Sequence, residues 1–308
     1  MASVERVLTV CVPSASSRDQ IEPVPDTVRV LVWNGEGEPP DGIEETEFLL
    51  AGYMTGPEHL LDIMPKLKVI QLLSAGVERW VAQVPDSVVL CNGRGVHGRA
   101  TAELAVTGIL ALIRKLPMFL AQQQDRRWNE VHGEDLDGKR LLVLGAGDIG
   151  GYIARALEVF GATTTFVART ARDGVHGIDE LPQLLPRTDI LAIAVPLTDK
   201  TRGLIDADVL AALPDHAIVA NIARGPIIDT EALLAETQSG RLRAFLDVTD
   251  PEPLPADHPL WAVPDVVITP HIGGGTDGWQ RRGYRLVREQ IERYAAGEPL
   301  VNVVGRTY

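Results

Sequence analysis

One stretch constrains this chain more than any other. Residues 141–144, the apolar part of a strand predicted at 140–144, lead without a spacer into Gly145-Ala146-Gly147-Asp148-Ile149-Gly150. Ile149, Ile153, Ala156, Leu157 and Phe160 follow, spaced for one face of a helix over residues 148–160. Glycines at this spacing alone say little, because glycine is common. A strand running into the loop and an amphipathic helix running out say much more. Gly145 would form the tight turn, Gly147 would let a ligand approach the backbone, and Gly150 would let helix and strand pack closely. Free N–H groups and the dipole at that helix start favour an anion, and the pyrophosphate of a dinucleotide suits this geometry.

Strands and helices alternate around that loop. Strands are predicted at 163–168, 190–194, 217–221, 242–247 and 266–269, with helices at 178–185, 207–212, 230–239 and 279–296. Further strands are predicted at 7–12, 28–33, 47–51, 69–73 and 88–91, with a helix at 57–64. A long helix is expected over 99–124, in which Pro117 would cause a kink or a stop. Such alternation implies an α/β fold with parallel sheets covered on both faces. A length of 308 residues suggests two domains. Residues 99–272 are assigned to a dinucleotide-binding Rossmann domain. Residues 1–98 and 273–308 are assigned to a discontinuous second domain.

Charge and cysteine usage exclude several classes. Lys plus Arg is 29 and Asp plus Glu is 42, a net charge of −13. A broad nucleic-acid surface needs excess cations, so no nucleic-acid partner is expected. The two cysteines, Cys11 and Cys91, are too few for a disulfide framework or a four-ligand zinc site, and no metal is expected. They read as buried, reduced thiols. No run is long and apolar enough to cross a membrane, and the start of the chain does not resemble a secretory leader. The expectation is a cytoplasmic protein with no membrane partner.

The strand at 163–168 ends at Ala168, where an NAD site usually carries Asp or Glu for the ribose hydroxyls. Arg169, Thr170 and Arg172 follow. A carboxylate would repel a 2′-phosphate, whereas a guanidinium binds it in bidentate fashion. NADP(H) is therefore the expected cofactor over NAD(H), which the loop still accepts.

Three polar groups sit past predicted strands, where open parallel sheets bind ligands. They are Arg224 in Asn221-Ile222-Ala223-Arg224-Gly225, Glu252 in Asp250-Pro251-Glu252-Pro253, and His271 in Thr269-Pro270-His271. Together they suit carbonyl reduction. Arg224 would bind a 2-keto acid's carboxylate and polarise its carbonyl. His271 would protonate the new alkoxide as general acid, and Glu252 would orient the imidazole.

These motifs together resemble the D-isomer-specific 2-hydroxyacid dehydrogenase family, over essentially the whole chain. Supporting segments include Ala194-Val195-Pro196-Leu197-Thr198 with Thr201, Leu67-Lys68-Val69-Ile70, Ser74-Ala75-Gly76-Val77 and the ending Gly297-Glu298-Pro299-Leu300-Val301-Asn302. The resemblance implies a flavodoxin-like substrate domain, a Rossmann cofactor domain and a cleft between them. It assigns the catalytic trio to Arg224, Glu252 and His271. It places the Ala75 and Gly76 N–H groups at the substrate carboxylate. It puts Asp148, Ile149, Pro196, Thr201, Ile222 and Asp247 around the cofactor, with Asp247 near the nicotinamide amide. It also implies a homodimer built through the cofactor domains. Within the family the chain looks most similar to NADPH-using glyoxylate/hydroxypyruvate reductases.

Two departures stand out. The loop Gly52-Tyr53-Met54-Thr55 lacks an arginine carried by some members, and Tyr53 and Met54 would line the substrate with a more apolar wall. That shifts the expectation from glyoxylate toward a larger apolar 2-keto acid. His97 is atypical and reads as a loop residue rather than a substrate contact. Trp279 reads either as a dimer contact or as core packing. Other functions on the same fold are a dinucleotide-sensing, corepressor-like protein and a phosphite or formate dehydrogenase. Formate enzymes carry glutamine where Glu252 stands.

Overall fold

A computed structural model describes residues 7–52 and 60–305. They fall into two compact units. One contains the residues up to His97 and those from Thr276 onward, and the other runs from Gly98 to Gly275.

The first unit is built on β1 (Leu8–Val12), α1 (Ala15–Ile21), β2 (Val28–Val32), β3 (Thr46–Leu50), α2 (Leu60–Ile63), β4 (Val69–Gln71), α3 (Glu78–Val81) and β5 (Val89–Cys91). Its sheet is parallel throughout, in the order β2-β1-β3-β4-β5. That is the flavodoxin-like order. Apolar clusters cover both faces of the sheet, which is why β1 and β3 read as nearly continuous apolar runs. The start of α1 is capped by Ser14, whose hydroxyl accepts from the Ser17 N–H at 3.0 Å. This helix is absent from the sequence reading because its seven residues bury only Ser17 and Ile21.

The second unit contains α4 (Gly98–Ile113), α5 (Leu116–Gln124), β6 (Arg140–Leu144), α6 (Asp148–Glu158), β7 (Thr163–Ala168), β8 (Val175–Gly177), α7 (Leu181–Leu184), β9 (Ile190–Ile193), α8 (Ala207–Ala211), β10 (Ile218–Asn221), α9 (Thr230–Gln238), β11 (Arg243–Leu246) and β12 (Val266–Ile268). Its parallel sheet runs β12-β11-β10-β9-β6-β7-β8. This is the Rossmann order with one strand added, and the order reverses between β6 and β9. The faces are covered by two clusters, one including Ala105, Ile109 and Phe245, the other including Leu210, Leu233 and Leu246.

The chain then returns to the first unit through α10 (Trp279–Ala296). Tyr284 shares a 2.9 Å hydrogen bond with Ser17, and the Arg288 guanidinium donates to the carbonyls of Gln20, Ile21 and Glu22. The tail after α10 pairs with β5 through Val304 N–H to the Leu90 carbonyl at 2.8 Å.

Two expectations are corrected. The helix expected over 99–124 is two helices bent by 69°, with Lys115 at φ +53 between them. Pro117 lies in the first turn of α5, where a missing N–H costs nothing, so it restarts the helix rather than kinking it. The strand β8 was not expected, because three residues ending in glycine carry too little pattern. It exists through its pairing with β7, Phe166 against Val175. Among the described residues no single helix is long and apolar enough to cross a membrane. The bent α4–α5 pair passes on length and composition, yet α4 buries its apolar face in the core.

Candidate active site

The glycine loop sits at the point where strand order reverses. The Gly145 N–H donates to the Val167 carbonyl at 2.8 Å, and Gly145 holds φ +115. A side chain there would also run into the carbonyl of Ala194, just past β9. Gly147 is the cap residue before α6, with open space where a Cβ would stand. Gly150 presses on the Gly145 carbonyl and on Val143, so a side chain there would drive the helix off the strand. Asp148 occupies the first turn of α6, and its carboxylate lies against Gly98, where a side chain would collide with it. Open backbone at the start of an eleven-residue helix fits a pyrophosphate.

Arg169 and Thr170 follow β7 and are exposed. The Arg172 guanidinium reaches back and donates to the Ala146 carbonyl at 3.2 Å, so it lies beside the glycine loop. The Thr201 hydroxyl donates to the Pro196 carbonyl at 2.7 Å and accepts from the Thr198 N–H at 2.8 Å. It braces the loop that follows β9. Ile149 is half-buried and Ile222 buried.

Arg224, Glu252 and His271 follow β10, β11 and β12 respectively. Asn221 is buried at the end of β10. Its Oδ1 accepts from the Ala223 N–H at 3.1 Å, and its Nδ2 donates to the Arg224 carbonyl at 2.9 Å. Those two bonds fix the backbone that carries the guanidinium. Gly225 touches the Thr249 carbonyl so closely that no side chain fits, which presses the Arg224 loop onto the loop after β11. That second loop is braced by Thr249 to the Pro251 carbonyl and by Thr230 to the Asp250 carbonyl, both at 2.9 Å. His271 Nδ1 donates to Glu252 Oε1 at 2.6 Å. The two side chains are 46% and 41% exposed, so the pair is open to a ligand. With Nδ1 engaged by the carboxylate, Nε2 is left for proton exchange.

Asp247, at the end of β11, is 2% exposed. Its carboxylate accepts from the Thr269 hydroxyl and from the Ile272 and Gly273 N–H groups at 2.6, 2.9 and 2.8 Å. Sequence reasoning assigned it to the cofactor and missed this hold on the His271 loop. Asn221 was also missed as a bracing residue. Its signal was a polar residue closing the apolar strand Ile218-Val219-Ala220.

Ala75 and Gly76 lie in the first unit, after β4. The loop is braced by the Ser74 hydroxyl to the Gly76 carbonyl at 2.8 Å and by Asn92 Nδ2 to the Ala75 carbonyl at 3.1 Å. Tyr53 and Met54 lie outside the described residues. In the same unit the His97 and Trp279 rings lie 5.8 Å apart, tilted by 35°.

A parallel sheet with this strand order and this glycine loop defines a dinucleotide-binding domain. The family profile described as D-isomer specific 2-hydroxyacid dehydrogenase, NAD binding domain, matches residues 106–273. The chain belongs to the D-isomer-specific 2-hydroxyacid dehydrogenase family. D-3-phosphoglycerate dehydrogenase of Methanocaldococcus jannaschii is 31% identical over 300 residues, 91% of this chain but 57% of that relative's length. Glyoxylate/hydroxypyruvate reductase A of Klebsiella pneumoniae strain 342 is 33% identical over 255 residues, covering 78% of this chain and 81% of that protein. Among solved structures, a D-isomer specific 2-hydroxyacid dehydrogenase from Xanthobacter autotrophicus Py2, in complex with NADPH and MES, superposes with a TM-score of 0.86. It is 32% identical and covers 98% of this chain and 99% of that one.

Proposed function

We propose that this protein reduces a small 2-keto acid to the D-2-hydroxy acid with NADPH as preferred reductant. The observation that carries the reading is the 2.6 Å hydrogen bond from His271 Nδ1 to Glu252 Oε1, past the carboxyl ends of β11 and β12. Gly145, Gly147, Asp148, Ile149 and Gly150 would hold the pyrophosphate, with Pro196, Thr201 and Ile222 along the cofactor. Arg169, Thr170 and Arg172 would hold the 2′-phosphate. When bound, the reduced dinucleotide supplies the hydrogen and electron pair that turn the carbonyl carbon into an alcohol carbon.

The chain's own residues do the rest. Arg224 binds the substrate carboxylate and draws electron density toward the carbonyl oxygen. His271 in its protonated form gives the Nε2 proton to that oxygen as negative charge develops there. Glu252 holds the ring through Nδ1 and balances its charge while the proton is present. In the reverse direction neutral His271 accepts the hydroxyl proton. A cytoplasmic homodimer associated through the dinucleotide-binding unit is part of the same reading, supported by the family membership alone.

An absorbance assay at the dihydronicotinamide band tests it, using a panel from glyoxylate and hydroxypyruvate to branched and aromatic 2-keto acids, with both cofactors. Turnover of at least one acid, faster with NADPH, is expected. Tight cofactor binding with no turnover on any acid would overturn the enzymatic reading in favour of a dinucleotide sensor.

A further inference from the structure

We propose that Asn92 is a positioning residue for the substrate, fixing the loop whose Ala75 and Gly76 N–H groups receive the substrate carboxylate. The inference rests on that reading of the two amides, which goes with the 2-keto acid function. Among the described residues neither amide has an acceptor in the protein, and Ala75 is exposed. Successive backbone N–H groups make an anion-binding concavity, and they do so only while their loop keeps one shape. Residues 72–77 lie outside any helix or strand, so the hold on this loop comes from elsewhere.

Asn92, just past β5, supplies it. Its Nδ2 donates to the Ala75 carbonyl at 3.1 Å, and its Oδ1 accepts from the Arg94 N–H at 3.1 Å. Beside it the Gly93 N–H donates to the Ser74 carbonyl at 2.7 Å, and Gly93 lies so close to the Leu73 carbonyl that no side chain fits. The Asn92 main chain is held on both sides. Its N–H donates to the Asn302 carbonyl at 3.1 Å, and its own carbonyl accepts from Nε2 of the fully buried Gln71 at 3.1 Å. Asn302, in the tail after α10, also donates from Nδ2 to the Arg94 carbonyl at 2.9 Å. It sits at φ +57, which asparagine tolerates. Gln290 of α10 donates to Gln71 Oε1 at 2.9 Å and bonds the Val301 peptide in both directions. The tail, α10 and β5 thus converge on Asn92, whose side chain passes the constraint to the Ala75 peptide. An amide suits this place, since one end donates to a carbonyl and the other accepts from an N–H. Aspartate would keep the acceptor but set an anionic oxygen against the Ala75 carbonyl.

The test uses Asn92→Ala, Asn92→Asp and the milder Asn302→Gly, which removes a side chain but keeps the left-handed backbone, all in the full chain. The measurements are hydrogen–deuterium exchange at the Gly93 amide in the ligand-free protein, the Kd for NADPH by fluorescence, the Kd for oxamate in the presence of NADPH, and KM and kcat for the best acid of the panel. For Asn92→Ala, exchange at Gly93 should accelerate, and KM and the oxamate Kd should rise about 10-fold, the weight of one or two neutral hydrogen bonds. The kcat and the NADPH Kd should stay within about threefold, because a carboxylate that does not react is held alike in the ground and transition states. Asn92→Asp should raise KM further, and Asn302→Gly should move exchange and KM the same way by less. An unchanged KM in folded Asn92→Ala overturns the proposal. So does a loss carried by kcat or by the NADPH Kd at constant KM. If neither Asn92 variant folds, the KM of Asn302→Gly decides. Wild-type protein that turns over no 2-keto acid would overturn the functional reading instead. The oxamate Kd then decides for Asn92, and a Kd equal in wild type and Asn92→Ala, or no binding to wild type, overturns its role.

Discussion

Glu252 and His271 are nineteen residues apart in sequence, yet Oε1 of one and Nδ1 of the other lie 2.6 Å apart. Each follows a different strand, and adjacent β11 and β12 bring them together. His271→Gln should lower kcat about 10²–10⁴-fold, the usual weight of a general acid, and leave the NADPH Kd nearly unchanged. Glu252→Gln keeps the ring's partner but removes its charge. Loss of a charge-assisted hydrogen bond of about 1.5–3 kcal/mol gives roughly a 10–100-fold fall. Steady-state kinetics with fluorescence titration of cofactor checks both. A His271→Gln enzyme at full kcat would remove His271 from the chemistry.

Cofactor preference should follow the arginines after β7. Arg172 is already placed beside the glycine loop by its bond to the Ala146 carbonyl, whereas Arg169 is exposed at the strand end. In Arg169→Ala/Arg172→Ala, kcat/KM for NADPH should fall about 10–100-fold, the weight of one or two charged hydrogen bonds, while kcat/KM for NADH changes little. An equal fall for both cofactors would mean that the arginines support the loop and not a 2′-phosphate.

The fold was legible where local pattern and tertiary packing agree. The strands at 140–144 and 163–168 and the helix at 279–296 have the ends their patterns predict. Turn and cap chemistry reinforce them, as where Gly297 closes α10 at φ +70. Legibility failed where a segment owes its state to a neighbour. β8 is a strand because β7 pairs with it, and the break near Lys115 depends on where Pro117 falls in the helix that restarts. At the site, Arg224, Glu252 and His271 stand out in the sequence because each is a charged or titratable side chain just past a predicted strand. The hold of Asp247 on the loop after β12 is not legible there, because its partners Ile272 and Gly273 are backbone amides, which any sequence supplies. Only the fold decides which ones meet a carboxylate.

Cys11 and Cys91 should be inert in the native protein. Burial pushes the Cys11 thiol up to about 12, against a weaker opposing backbone contact with Trp33, and pushes Cys91 up to about 11, against a weaker side-chain contact with Gln290. Near pH 8 that leaves roughly one thiolate in 10⁴ and one in 10³, where an ordinary cysteine would hold tens of per cent. An aromatic disulfide reagent should therefore release no product on the native protein within minutes, and two equivalents after denaturation. Rapid native labelling of either residue would contradict the burial of both.

Acid should weaken the second unit through Asp189. Arg140 grips this carboxylate in a bidentate pair, Nε to Oδ2 and Nη2 to Oδ1, both at 2.8 Å, and the Arg140 N–H adds a third bond at 2.8 Å. The guanidinium contact first, and the backbone N–H after it, hold the Asp189 carboxyl below the usual carboxylate range, with partial burial opposing them. A carboxyl depressed in the folded state gives up its proton more readily there than in the unfolded chain. Its stabilisation is thus complete above the unfolded value of about 3.9 and is lost as pH falls through the lower folded value. The Arg140 side chain is 47% exposed, so screening limits the pair to about 1 kcal/mol. Asp189→Asn should therefore cost about 2–4 °C in Tm near neutral pH, and the gap to wild type should close in acid, below the folded value. Thermal melts of both proteins across that range check it. A gap that stays constant into acid would mean that the pair's charge contributes nothing and that only its hydrogen-bonding shape matters.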